Sequence, residues 1–114
     1  MHEVSIALGL LDLATEYCEK QGYKRIESIK VKIGRASGVL TESLLFAFDA
    51  AKIDTIAEKA TLIVEEIPIS GFCDSCKSNF TVEDAYVVSC PSCGGTSLRV
   101  ETGRELNIAE MDVD

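Results

Sequence analysis

The chain of 114 residues has no tryptophan, a single histidine, two prolines and an aromatic content of only 6%. With four Phe and three Tyr, any core must be built chiefly from aliphatic side chains. One histidine, at position 2, leaves no Ser/His/Asp or Cys/His constellation to assemble, which argues against an enzyme. Basic residues are scarce: 11 Lys and Arg stand against 19 Asp and Glu, for a net charge of −8. No basic cluster interrupts that balance, so the footprint that a nucleic-acid partner would need is missing. No apolar run approaches the roughly 20 residues of a membrane-spanning helix. No secretory n-region with a cleavage site is seen at the start, and the reading is a cytoplasmic protein.

Cysteine is what the chain has in excess. Four of its five cysteines form two C-x-x-C pairs, Cys73-Asp74-Ser75-Cys76 and Cys90-Pro91-Ser92-Cys93. Each pair lets two thiolates from one tight turn reach the same ion, and two such turns complete a tetrahedral set of four sulfurs. Zn²⁺ takes that set in closed, structural sites; iron is the alternative on the same ligands. An odd cysteine count with this spacing suits a reducing compartment better than a disulfide framework. Cys18, on the apolar face of a predicted helix, reads as a small buried hydrophobe.

The hydrophobic periodicity predicts an amphipathic helix over 4–20, with Val4, Ala7, Leu8, Leu11, Ala14 and Cys18 on one face and Gly22 closing it. A half-buried strand over 26–34 places Ile29, Val31 and Ile33 inward. Thr41 is the expected N-cap of a second helix, which carries Glu42 in its first turn and ends near Ile53. A strand follows over 61–69, with Pro68 at its edge or exit. In the cysteine module, Phe80, Val82, Tyr86 and Val88 are expected to pack a small hairpin. Leu98 and Val100 then mark a strand, Gly103 a bend, and Leu106, Ile108, Met111 and Val113 a last strand whose parity shifts near Ala109-Glu110. The expected fold is α+β: two helices on a small three-stranded mixed sheet, with an inserted zinc-ribbon-like four-cysteine module. The expected domains are 1–70 with 101–114, and 71–100 as the insertion.

Met1-His2-Glu3 offers a second metal site. The terminal amine, the His2 backbone nitrogen and the imidazole can close adjoining small rings about one ion, an arrangement that Cu(II) and Ni(II) favour. The alternative is a solvated terminal histidine.

Met1-His2-Glu3-Val4-Ser5-Ile6 resembles the opening of the hydrogenase nickel-incorporation proteins, the HypA/HybF family. Ile33-Gly34-Arg35-Ala36-Ser37-Gly38-Val39, Leu44-Leu45-Phe46-Ala47-Phe48, the two C-x-x-C pairs and Gly103-Arg104-Glu105-Leu106-Asn107-Ile108 match that family in order. The resemblance implies a metallochaperone that binds Ni²⁺ as cargo at its N-terminus and inserts it into the large subunit of [NiFe]-hydrogenase during maturation. It implies His2 as nickel ligand, with contributions from Met1 and Glu3, and Cys73, Cys76, Cys90 and Cys93 as ligands to a structural Zn²⁺. The nickel-delivering GTPase HypB and the hydrogenase large-subunit precursor are the implied partners, with a homodimer left open. The chain departs from some relatives in having no histidine beside its cysteines. Some relatives complete the nickel site with an acidic residue near the start of the second helix; Glu42 is the only carboxylate there, and a helix-capping or solvated role is the alternative for it. The alternative to metal delivery is a zinc-ribbon protein-interaction module.

Overall fold

The computed structural model describes the main chain of residues 2–114 and the side chains of residues 3–114. The elements run α1 (His2–Gln21), β1 (Ile26–Gly34), a 3₁₀ turn (Arg35–Ser37), α2 (Thr41–Ala51), β2 (Thr61–Ile67), β3 (Ile69–Cys73), β4 (Ser78–Val82), β5 (Leu98–Thr102) and β6 (Leu106–Val113). Two helices accompany two three-stranded sheets, ordered β2-β1-β6 and β4-β3-β5. The chain divides into two compact units. One comprises the chain up to Val31, Val39–Val64 and Ile108–Asp114; the other comprises Lys32–Gly38 and Glu65–Asn107.

The core of the first unit is chiefly aliphatic. Helix α1 buries Ala7, Leu10, Leu11, Ala14 and Cys18, α2, which packs on it, buries Leu44, Ala47 and Phe48, and β1 buries Ile26, Ile29 and Val31. Burying side chains of the size of Leu or Phe stabilises by roughly 1.5–3 kcal/mol each, which is how a chain without tryptophan holds a core here. Helix α1 ends where Gly22 turns left-handed, at φ 83°, and the Tyr23 N–H donates to the Cys18 carbonyl. Cys18 is fully buried, and its thiol is pushed above the ordinary range by that burial. It is a core residue, as its position on the wheel predicts.

Several expectations are corrected. The helix starts two residues earlier than its periodicity indicates, and Val4 and Leu8 are exposed. The apolar arc of α1 is wider than the face that the core covers, so Leu10 goes inward while Val4 and Leu8 flank it. Thr41 is the first helical residue and not the N-cap, which is Leu40; α2 ends at Ala51, with Lys52 as its C-cap. The run over 61–69 is two strands, broken at Pro68, which has no N–H for a ladder. Leu62 and Ile69 accordingly belong to strands of different sheets. In the cysteine module Tyr86 and Val88 are exposed, and it is Val87 that packs on the core beside Val82, Leu98 and Val100.

β1 and β6 run antiparallel. Lys24 donates to the Asp114 carbonyl and Asp114 to that of Arg25, while at the other end Gly34 donates to the carbonyl of Glu105. Along β6, Ile108, Met111 and Val113 are half-buried, the shifted spacing expected of them.

In the second unit, two segments far apart in sequence meet backbone to backbone. A Cβ on Gly34 would lie 2.1 Å from the carbonyl carbon and oxygen of Gly103, whose own φ is 115°. The Ala36 N–H donates to the Gly103 carbonyl, and the Gly103 N–H donates to Glu105 Oε1. These contacts join the Gly34-Arg35-Ala36-Ser37-Gly38 and Gly103-Arg104-Glu105 stretches. Replacing Gly34 by Ala would force main chain apart and is expected to destabilise by about 3 kcal/mol or more. Gly38→Ala adds a methyl to open space at φ 79° and should cost only about 1–2 kcal/mol. Chemical denaturation of the two variants side by side measures the difference.

Candidate metal centre

The two C-x-x-C turns are built alike. In the first, the Lys77 N–H donates to the Cys73 carbonyl at 2.9 Å, and in the second the Gly94 N–H donates to that of Cys90 at 2.9 Å. Lys77 and Gly94, each just after its second cysteine, are both left-handed, at φ 58° and 75°. This conformation costs a lysine roughly 1–2 kcal/mol and a glycine nothing. The paired backbone geometry turns both sulfurs of each knuckle to the same side. Gly95 lets the knuckles approach: a Cβ there would stand 2.7 Å from Ser75 Oγ and 3.2 Å from Cys93 Sγ. Asp74, within the first knuckle, is held by its N–H to the Ser97 carbonyl and by Arg99 at 2.7 Å. The Arg99 guanidinium also lies over the Phe72 ring, 5.1 Å from its centroid.

The four sulfurs of Cys73, Cys76, Cys90 and Cys93 lie within 4.8 Å of one another. Cys73 and Cys93 approach to 3.6 Å and Cys76 and Cys90 to 3.8 Å. These are not disulfides, whose sulfurs stand about 2.05 Å apart. They match the edge of about 3.8 Å that a tetrahedron with Zn–S arms of about 2.3 Å requires. The donor set and its spacing therefore fit a closed tetrathiolate. Such an ion is coordinatively saturated and supplies cohesion instead of reactivity. Cys73 and Cys90 are also core residues, packed with Ile69 and Phe80.

Backbone donors and neighbouring sulfurs set the thiols of Cys73, Cys90 and Cys93 apart. Cys73 is held below its ordinary value of 9.0, chiefly by a hydrogen bond from the Cys76 N–H. Cys90 is drawn down to about 7 by the N–H groups of Cys93 and Ser92. The Gly95 N–H, 3.3 Å from Cys93 Sγ, favours that thiolate too. Yet Cys93 is pushed up to about 11, because hydrogen bonding with Cys73, partial desolvation and the neighbouring Cys76 and Cys90 sulfurs outweigh it. Cys93 is also the exposed member of the four.

Of the residues assigned to nickel, Met1 and the His2 side chain lie outside the described residues. Glu3 is half-buried and its Oε2 accepts a hydrogen bond from the Leu40 N–H at 3.3 Å. Glu42 is exposed in the first turn of α2, at the rim of an open cavity of about 580 Å³ that Val4, Leu8, Phe46 and Ala47 also line. The sequence points to all four cysteines. It does not point to Asp74 with Arg99, because a salt bridge 25 residues apart has no local pattern, nor to the left-handed Lys77, because lysine carries no turn signal.

A two-unit α+β architecture with one unit closed on four cysteines defines a small metal-binding protein. The model of the family described as "Hydrogenase/urease nickel incorporation, metallochaperone, hypA" matches residues 1–113, and the chain belongs to this family. A hydrogenase maturation factor HypA from Geotalea daltonii is 42% identical over 113 residues, covering 99% of both chains. Another from Prosthecochloris aestuarii is 40% identical over 115 residues, covering 100% of each. The solution structure of the Ni metallochaperone HypA from Helicobacter pylori shares the fold at a TM-score of 0.68, with 20% identity over 97% of this chain and 96% of that one. A second HypA solution structure aligns with a TM-score of 0.71 at 22% identity, over 99% and 96%.

Proton competition at the cysteines gives a graded pH response. Metal binding needs four thiolates, so affinity must fall as pH falls. Cys93, pushed up to about 11, must surrender its proton over the widest range, and that of Cys90 is added below about 7. A chelator competition series across pH should show the dependence steepening below neutrality, and Cys93→Ser should flatten its alkaline part.

Proposed function

We propose that the protein is a nickel metallochaperone of hydrogenase maturation, holding Ni²⁺ as cargo on Met1-His2 and passing it to the large-subunit precursor of a [NiFe]-hydrogenase. The observation behind this reading is that the family match begins at residue 1 and so takes in Met1-His2-Glu3. Two amine or amide nitrogens and an imidazole make a nitrogen-rich set suited to the square-planar preference of Ni(II). A chelate at a chain end can release its ion with few protein groups moving, which delivery requires. The work is binding and transfer, without catalysis.

Cys73, Cys76, Cys90 and Cys93 hold a structural Zn²⁺ in this reading. The 3.6 and 3.8 Å sulfur pairs support it, and so does a second-unit core that uses two of those cysteines as packing residues. The two metals are thereby given different duties, cargo in one part of the chain and cohesion in the other. The partners are a nickel-delivering GTPase, HypB, and the hydrogenase precursor. The setting is the cytoplasm, where thiolates stay reduced. Among the described residues no helix is long and apolar enough to cross a membrane.

His2→Ala tests the cargo site. Nickel affinity should fall by two or more orders of magnitude, as expected when a primary imidazole ligand is lost, while the zinc content of one ion per chain is kept. Unchanged nickel binding in a zinc-replete variant would sink the assignment.

A further inference from the structure

Helix α2 begins without the means to cap itself. Its N-cap, Leu40, has extended backbone at φ −88° and ψ 116° and no side-chain oxygen to offer. In a capping box, Glu or Gln at the third helical position reaches back to the N-cap N–H. That position here is Ser43, whose side chain is too short for the reach. The Leu40 N–H is nevertheless bonded: it donates to Glu3 Oε2 at 3.3 Å, from the first turn of α1. A carboxylate at that point also meets the positive end of the α2 dipole, as Glu42 does from within the helix.

We propose that Glu3 is a positioning residue for the nickel site, its carboxylate supplying from another helix the acceptor for the N-cap N–H of α2 and anchoring the first turn of α1, and that this carboxylate is not a ligand to the cargo ion. The inference rests on the nickel reading above. A chelate on a chain end pays for every conformation it must freeze, and an anchor at the very next residue reduces that cost. What the Leu40 N–H needs is an acceptor oxygen within reach, which an amide supplies as well as a carboxylate. A ligand to Ni²⁺ would not be replaced so readily, because a neutral amide oxygen is a far poorer donor than a carboxylate. Gln at position 3 therefore separates the two roles.

The experiment uses the full, zinc-loaded chain as wild type, Glu3→Gln, Glu3→Ala and His2→Ala. Nickel affinity is read by chelator competition, and the Leu40 amide by its chemical shift and hydrogen-exchange protection. Glu3→Ala should expose the Leu40 amide and weaken nickel about tenfold, the scale of losing a residue that orients a metal ligand. Glu3→Gln should hold both within about twofold, since Gln serves in capping boxes as Glu does. If Glu3→Gln weakens nickel as much as Glu3→Ala while the Leu40 amide stays protected, Glu3 is a ligand and the proposal fails. An unchanged Leu40 amide in Glu3→Ala removes the cap itself. Intact nickel binding in His2→Ala would remove the nickel reading, and the Leu40 amide would still report separately whether Glu3 caps the helix.

Discussion

Four thiolate sulfurs within 4.8 Å of one another repel unless something neutralises them, and much of the second unit is arranged around that demand. Part of the answer is built into the backbone, which aims N–H groups at Cys73, Cys90 and Cys93 and spreads their proton affinities. Those dipoles cannot balance four negative charges, so a divalent cation is the natural remainder. The same sulfurs are packing atoms. Cys73 and Cys90 sit with Ile69 and Phe80 in a core too small to fold on apolar burial alone. With an ion bound, charge neutralisation and core formation in this unit would be one event, and metal affinity would be folding free energy.

The first unit is organised by a different force. Its core is chiefly aliphatic, with Phe48 as its large buried aromatic, and is drawn from both helices and β1. The two units thus contrast, one built on apolar burial and the other gathered about four cysteines that could hold a metal ion. The apolar arc of α1 is wide. One stretch of that arc is buried, and the flank with Val4 and Leu8 lies beside Phe46 at an open, largely apolar cavity.

Sequence legibility followed the range of the interaction. Strand β1 reads directly as Ile26–Gly34, because alternation is a local signal, and the C-x-x-C spacing leads straight to the four converging sulfurs. Thr41 looked like the N-cap because it is the type of residue that caps. The cap falls on Leu40 because the acceptor comes from Glu3, 37 residues away, where no local rule looks. Tyr86 and Val88 were misjudged against Val87 because a loop between knuckles has no fixed period. Pro68 stands at the exit of β2, one of its two expected places, and what local pattern does not show is that a strand of another sheet begins directly after it. The family resemblance extended over the whole chain, and the HypA match over residues 1–113 bears it out.

The contact between Gly34 and Gly103 has a bearing on how such modules can be exchanged. Because the two glycines touch through main-chain atoms, no compensating side chain elsewhere can restore the fit. A four-cysteine module transplanted from one relative to another, whether by recombination or by design, would have to bring the end of β1 with it. The inheritable unit is then discontinuous: the cysteine-bearing segment together with a short stretch encoded well upstream of it.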